Sequence, residues 1–86
     1  MNSPQIQAEL SLYPLEQQDI AKPIYEFVEA LERDDLKVYI GTLSTVISGE
    51  MQRVFDAVRD AYARVARDGR CVLVVKYLNE SDKRED

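Results

Sequence analysis

The side chains that most enzymes use for acid–base or metal chemistry are scarce in this chain. Its 86 residues include no histidine and a single cysteine, Cys71, which lies within an apolar run. Without histidine and with one cysteine, the chain cannot carry out imidazole catalysis or form the common histidine or multi-thiolate metal sites. A cysteine within an apolar run is more often structural than nucleophilic. The three glycines are too widely spaced for a phosphate-binding loop. We expect a protein that is not an enzyme and that has no metal site and no cofactor.

Small polar side chains concentrate instead in or beside the predicted strands. They are Glu9, Ser11, Tyr13, Thr42, Ser44, Thr45 and Ser48. Hydroxyls and a carboxylate on a rigid sheet can bond the edges of a polar heterocycle, and a tyrosine ring can stack on its face. The same pattern is also typical of the solvent-exposed face of an ordinary sheet. Spacing alone leaves both interpretations open.

The first half of the chain predicts a strand and a helix that would position some of these groups. Residues 6–13 alternate between apolar and polar, which predicts a strand, and Pro14 should end it because proline has no N–H for a ladder. The following helix has Asp19 as its predicted cap. Its apolar stripe consists of Ile20, Ile24, Phe27, Val28 and Leu31.

The second half predicts two strands, a helix and a last strand. Val38 and Ile40 alternate with polar neighbours, and residues 45–47 are β-branched, so a hairpin should join these two runs. Gly49 is expected to end the third strand, and a long helix should begin near Glu50. Residues 71–78 are apolar on both alternating sets of positions, which is typical of a strand covered on both faces.

This order of elements predicts one α+β domain over residues 6–78. Two βαβ units with right-handed crossovers give a ferredoxin-like β-α-β-β-α-β fold, with a four-stranded antiparallel sheet and both helices on one face. Residues 79–86 are almost wholly charged or polar and are expected to form a frayed tail.

The sheet face opposite the helices is predicted to be an interaction surface. The last strand has apolar side chains on both faces, but the helices cover only one, and exposed apolar patches usually mark contacts. A second copy would then cover the open face in a homodimer or homotetramer. Alternatively, Tyr39 and Tyr77 lie on a solvated open face. Periodicity does not decide whether Thr45 or Val46 faces the helices.

Charge and hydropathy narrow the partners and the compartment. The formal net charge is -5, and acidic and basic residues are interleaved, so no nucleic acid partner is expected. No apolar run approaches the ~20 residues that span a bilayer, and residues 1–5 do not resemble a signal peptide. A lone cysteine is compatible with a reducing compartment. We expect a cytoplasmic protein with no membrane partner.

Three segments resemble the YkoF-like family, whose members bind thiamin and hydroxymethylpyrimidine. Residues 9–15, ELSLYPL, are similar to its first strand, and residues 41–50, GTLSTVISGE, resemble its hairpin strand. Residues 54–57, VFDA, are similar to the start of its second helix. Together the three motifs extend the resemblance over about residues 6–78.

The resemblance implies a cytoplasmic carrier or sensor that holds the aminopyrimidine part of thiamin without turnover, and that forms a homodimer or homotetramer. Carried over by motif, the expected ligand-binding residues are Glu9, Ser11, Tyr13, Thr42, Ser44 and Thr45. Glu9 would accept from the exocyclic amine, hydroxyls would serve the ring nitrogens, and Tyr13 would pack on the ring. Thr42 and Leu43 stand where relatives often have Gly-Pro-Met, so the hairpin is expected to differ in shape.

Two other functions compete with ligand binding. One is an oligomerising interaction or regulatory domain whose polar strand residues bind no small molecule. The other is an acylphosphatase-like enzyme on the same fold. That enzyme needs a basic residue in the loop after the first strand, and residues 13–19 contain none.

Overall fold

The computed structural model describes residues 4–80, whose strands and helices follow the predicted order. The elements are β1 (Gln5–Pro14), α1 (Ala21–Leu31), β2 (Lys37–Ile40), β3 (Thr45–Glu50), α2 (Met51–Ala66) and β4 (Cys71–Asn79). Within the predicted tail, Asn79 belongs to β4, and the Glu80 N–H donates to the Gln5 carbonyl at 2.9 Å. Residues 81–86 lie outside the described part of the chain.

The four strands form one antiparallel sheet in the order β2-β3-β1-β4. Each helix connects an outer strand to an inner one, and α1 and α2 pack against each other and against β1. This arrangement confirms the predicted α+β ferredoxin-like fold. Among the described residues no helix has both the length and the apolar character needed to cross a membrane.

The alternation along β1 supplies the sheet side of the core. Its even-numbered residues from Ile6 to Leu12 are at most 9% exposed, and they pack under the two helices. The helices contribute Phe27, Leu31, Val54, Ala57, Val58, Ala61 and Val65. The carboxylate of Asp19 accepts the N–H groups of Ala21 and Lys22 at 3.1 and 3.3 Å, as expected of a capping residue at the start of α1.

The hydrogen bonds flanking β1 show which way each of its backbone groups points. Leu15 N–H donates to the Arg70 carbonyl, and Glu80 N–H donates to the Gln5 carbonyl, both at 2.9 Å. Both pairs continue the β1–β4 register, so odd-numbered β1 residues direct their N–H and C=O groups toward β4. Even-numbered residues direct theirs toward β3, which agrees with the 2.9 Å bond from Met51 N–H to the Pro4 carbonyl.

β1 ends at Pro14, as predicted, whereas β3 continues past its predicted end at Gly49. Pro14 belongs to β1, opposite Cys71, because an even-numbered residue has no hydrogen bond to make on the β4 side. Gly49 lies within β3, which continues to Glu50. A Cβ atom on Gly49 would be 2.7 Å from Leu36 Cδ2 and 3.3 Å from the Asp35 carbonyl oxygen, so a larger residue there would require the Leu36 side chain to shift.

The structure also decides which side chains face the helices. Thr45 and Ile47 are buried beneath them, whereas Val46 lies on the open face opposite Tyr39. The expectation that Tyr77 lies on the open face is wrong. Tyr77 is the direct partner of buried Ala8, so it lies on the helix side of the sheet.

Candidate functional site

A cavity of about 180 Å³ lies where the β2–β3 hairpin meets the middle of α1. We call it the hairpin cavity. Its walls are formed by Leu10, Ser11, Leu12, Ile24, Phe27, Val28, Ile40, Gly41, Thr42, Leu43, Ser44 and Thr45. The lining combines aliphatic side chains and one aromatic ring with three hydroxyl-bearing residues from the hairpin and one from β1. None of these residues has an ionisable side chain, so the cavity suits an uncharged group.

The cavity exists because β1 extends further than β3. The pairing of β1 with β3 stops at Leu10 and Thr45, while β1 continues along β4 as far as Pro14. The next backbone pair on the β3 side is the N–H and C=O of Leu12, and no β3 residue lies opposite it. Within residues 4–80 these two groups make no hydrogen bond to another backbone group.

An unpaired donor and acceptor at the wall of a cavity favour a bound ligand or water. A buried polar group without a partner costs about 1–3 kcal/mol, so such groups are seldom left unsatisfied. The side chain of Thr45, which carries a hydroxyl, lines the same cavity and is only 7% exposed. The wall of this one cavity therefore carries a backbone donor, a backbone acceptor and a side-chain hydroxyl.

Glu9 lies on the open face and is hydrogen-bonded to Ser44, a residue of the cavity wall. The Ser44 hydroxyl donates to the Glu9 carboxylate at 2.9 Å, and the Lys76 ammonium is 3.8 Å from the other carboxylate oxygen. All three side chains are at least partly exposed. Ser44 thus links the hairpin cavity to a charged pair on the other side of the sheet.

The structure brings together four of the six predicted site residues. Ser11, Thr42, Ser44 and Thr45 all line the hairpin cavity, and Glu9 is hydrogen-bonded to one of them. Tyr13 stands apart, because it lies on the open face opposite Val72 with 53% of its surface exposed. Its ring is therefore not part of the wall against which a ligand in the hairpin cavity would pack.

A larger depression of about 730 Å³ lies at the other end of the open face. Its lining includes Gln7, Lys37, Ser48, Arg53 and Glu80. Several of its polar groups are already paired: the Glu80 carboxylate accepts from Gln7 at 3.2 Å and from Ser48 at 3.3 Å. Despite its smaller volume, the hairpin cavity is the better candidate, since the N–H and C=O of Leu12 on its wall have no backbone partner within residues 4–80.

Metal and thiol chemistry find little support among the described residues. Between residues 4 and 80 no three His, Cys, Asp or Glu side chains are grouped in a way that could hold a metal ion. Burial raises the pKa of the Cys71 thiol, so less of the reactive thiolate forms at neutral pH.

The comparison with known families decides what kind of protein this is. A family model described as thiamine-binding protein matches residues 8–86. The chain belongs to this family. The match agrees with the YkoF-like resemblance of the three sequence segments, and a family of this description is one of binding proteins.

A relative of this chain supports its membership in the thiamine-binding protein family. The UPF0045 protein MJ1052 of Methanocaldococcus jannaschii is 30% identical over 78 residues, which cover 88% of this chain and 78% of the relative. Its crystal structure superposes with a TM-score of 0.83 at 28% identity, covering 94% of this chain and 86% of that one.

Two further solved structures share the fold of this chain at lower sequence identity. Protein SP2199 of Streptococcus pneumoniae has a TM-score of 0.83 at 18% identity, covering 91% of this chain and 89% of that one. A Thermotoga maritima protein, TM0486, provisionally assigned to thiamine biosynthesis or salvage, has a TM-score of 0.77 at 20% identity. That alignment covers 86% of this chain and 82% of the other.

The sequence-based search missed the backbone of Leu12 and the apolar walls of the cavity. Side-chain chemistry gives no sign of a main-chain site, because every non-proline residue carries the same N–H and C=O groups. The signal that could have found it is a difference in strand length. A β1 of ten residues next to a β3 of six must leave backbone groups of β1 without a partner on one side.

Proposed function

We propose that this protein binds the aminopyrimidine part of thiamin, or free hydroxymethylpyrimidine, in the hairpin cavity. It would act without turnover, as a cytoplasmic carrier or sensor in thiamin uptake or metabolism. The observation that carries the proposal is the free N–H and C=O pair of Leu12, a residue that lines an uncharged cavity together with the buried Thr45. Membership in a thiamine-binding family supports the choice of ligand.

The aminopyrimidine ring complements the groups on this wall. Its exocyclic amine is a donor that lies next to a ring nitrogen acceptor, and a strand residue offers an acceptor and a donor at similar spacing. The Leu12 carbonyl would accept from the amine, and the Leu12 N–H would donate to the neighbouring ring nitrogen. The Thr45 hydroxyl would serve a remaining polar atom, and Phe27 would pack on the ring.

The charges around the cavity suit the rest of thiamin. A volume of about 180 Å³ is below the ~300–1,000 Å³ of pockets for drug-sized ligands, so only the pyrimidine ring would be enclosed. The cationic thiazolium would stay outside, where a net charge of -5 favours a positive group. Glu9, hydrogen-bonded to Ser44, would be the nearest carboxylate to it.

Self-association through the open sheet face is the second part of the proposal. On that face Val72, Val74 and Leu78 of β4 remain 44–60% exposed. An apolar strip of this kind usually marks a contact surface, and a second copy in a homodimer or homotetramer would cover it. An oligomerising domain without a ligand is the alternative, and it would leave the Leu12 pair without any role.

Calorimetric titration with thiamin and with hydroxymethylpyrimidine tests the binding proposal. Thr45→Val keeps the shape of the side chain but removes its hydroxyl, and it should weaken binding by roughly 1–3 kcal/mol, while the melting temperature stays the same or rises. Thr45→Ser keeps the hydroxyl and is the matched control. If neither compound releases heat or raises the melting temperature at millimolar concentration, the binding proposal is wrong.

A further inference from the structure

The ionisable side chains of β1, α1 and the β2–β3 hairpin all lie outside the hairpin cavity. They are Glu9, Tyr13, Lys22, Tyr25, Glu26, Glu29, Lys37, Tyr39 and Glu50. Glu9 is the carboxylate linked to the cavity wall through Ser44, but it lies on the open face and already has the Lys76 ammonium at 3.8 Å. A cation inside the hairpin cavity would therefore meet no carboxylate with which to pair.

The wall of the hairpin cavity disfavours a positively charged ring for two reasons. Apolar side chains such as Leu10, Leu12 and Phe27 form much of it, and an ion enclosed there would lose its hydration without gaining an opposite charge. The second reason is the Leu12 N–H, which is a donor at every pH. Only a ring nitrogen with a free lone pair can accept from it, because a protonated nitrogen would set two donors against each other.

The chain has no side chain that ordinarily changes its charge at mild pH. Histidine is the only residue whose unperturbed side-chain pKa lies between about 5 and 8, and the chain contains none. Burial raises the pKa of Cys71, the only thiol, and so moves it further above this range. An aminopyrimidine, by contrast, is a weak base whose ring takes up a proton in mildly acidic solution. A pH effect on its binding would therefore come from the ligand and not from the protein.

We propose that the hairpin cavity binds only the uncharged form of an aminopyrimidine and rejects its protonated form. This inference rests on the proposed function and adds to it the charge state that the ligand must have. In acid, the ring must give up its proton to the solvent before it can enter the cavity. The affinity should therefore be constant above the pKa of the ligand and should fall as the pH drops below it. A carrier of this kind releases its ligand in acid without any change in its own charge.

Calorimetric titration of hydroxymethylpyrimidine at a series of pH values between about 5 and 8 tests this charge selectivity. Below the pKa of the free compound, which its ultraviolet absorption measures, the affinity should fall about tenfold per pH unit. Titrations in two buffers with different heats of ionisation should show about one proton released per ligand there and none above. An affinity that is independent of pH, or that rises in acid, would overturn the inference and leave the proposed function intact. Absence of binding at every pH would instead refute the proposed function.

Thiamin provides a comparison that distinguishes a titrating ligand from a titrating protein. Its thiazolium carries a permanent positive charge, which makes the attached pyrimidine ring less basic than that of hydroxymethylpyrimidine. The affinity for thiamin should therefore begin to fall at a lower pH, displaced by the difference between the pKa values of the two free compounds. If both compounds gave the same pH profile, the titrating group would belong to the protein and the inference would be wrong.

Replacements of Leu43 and Glu9 test the role of charge at the cavity wall. Leu43 lines the cavity but is 90% exposed, so a polar residue there should leave the circular dichroism spectrum unchanged. Leu43→Glu adds a carboxylate that favours the cationic ring, so its affinity should fall less steeply in acid than that of Leu43→Gln, the matched neutral control. Glu9→Gln should keep the steep fall, because Glu9 lies outside the cavity. Loss of the pH dependence in Glu9→Gln, or a steeper fall for Leu43→Glu than for Leu43→Gln, would contradict the inference.

Discussion

The two halves of β1 have the same alternating side chains but different neighbours. From Gln5 to Leu10, which we call the closed half, the strand pairs with β3 on one side and β4 on the other. From Ser11 to Pro14, the open half, it pairs with β4 alone. The closed half satisfies its backbone within the sheet. The open half leaves the Leu12 pair facing the hairpin cavity, whereas Pro14, the next even-numbered residue, has a carbonyl but no N–H to leave unpaired.

The difference shows how a small sheet can build a binding site without special side chains. A chain of this length has little core to spare, so a deep pocket lined by many polar side chains would weaken it. Ending one strand early costs only a few ladder hydrogen bonds. It also leaves a rigid donor and acceptor in a fixed geometry, since β4 still holds the open half in place.

The largest contrast between the two halves should appear in amide exchange. The N–H of Ala8 lies in the β1–β3 ladder, so its opening free energy should approach the global free energy of unfolding. The N–H of Leu12 has no ladder partner, and it should exchange many orders of magnitude faster by NMR in the ligand-free protein. Saturating hydroxymethylpyrimidine should slow Leu12 and leave Ala8 unchanged. Equal protection of the two amides without ligand would mean that the Leu12 N–H has a hydrogen-bond partner in the free protein, which would contradict the contrast between the two halves.

Truncation of one apolar residue in each half should give a smaller but clear contrast. Ile6→Ala removes a side chain that is 2% exposed in the closed half, and it should lower the free energy of unfolding by about 2–5 kcal/mol. Leu12→Ala should cost at least ~1 kcal/mol less, because Leu12 borders an existing cavity and loses fewer contacts. Urea unfolding of both variants measures the difference. Equal losses would indicate that the hairpin cavity is packed shut in solution.

Most of the fold can be predicted from the sequence, because its signals are local. The alternation of residues 6–13 predicts β1 and its buried face, and Asp19 marks the start of α1. Pro14 is predicted to end β1, and β1 does end there, although the missing N–H of a proline disrupts a ladder only when it would face a neighbouring strand. Whether it does depends on pairing, which is not a local property.

The site is harder to predict because pairing partners distant in sequence define it. Thr45 faces the helices because it lies opposite Leu10, 35 residues earlier, and not because of its own neighbours. Tyr77 is similar: β4 is apolar at both alternating sets of positions, so only its register with Ala8 shows which face it takes. Hydroxyl spacing identified the residues around the cavity, but it could not reveal the Leu12 backbone.

The smallest expected effects on the free energy of unfolding come from the replacement of two serines, one at each end of the open face. Ser48 donates to Glu80 at 3.3 Å near the closed half, and Ser44 donates to Glu9 at 2.9 Å near the open half. Both bonds are at least partly exposed, so Ser48→Ala and Ser44→Ala should each lower the free energy of unfolding by ~1 kcal/mol or less. Thermal unfolding of the two variants should barely distinguish them.

Ligand titration should distinguish these two serine variants, because their affinities for hydroxymethylpyrimidine should differ although their free energies of unfolding are similar. Ser44 lines the hairpin cavity, so Ser44→Ala should weaken hydroxymethylpyrimidine binding a few-fold, whereas Ser48→Ala should leave it unchanged. The opposite result, with Ser48→Ala the weaker binder, would move the ligand to the larger depression beside Gln7, Ser48 and Glu80. In that case the closed half of β1 would carry the function, and the free backbone pair of Leu12 would be satisfied by water.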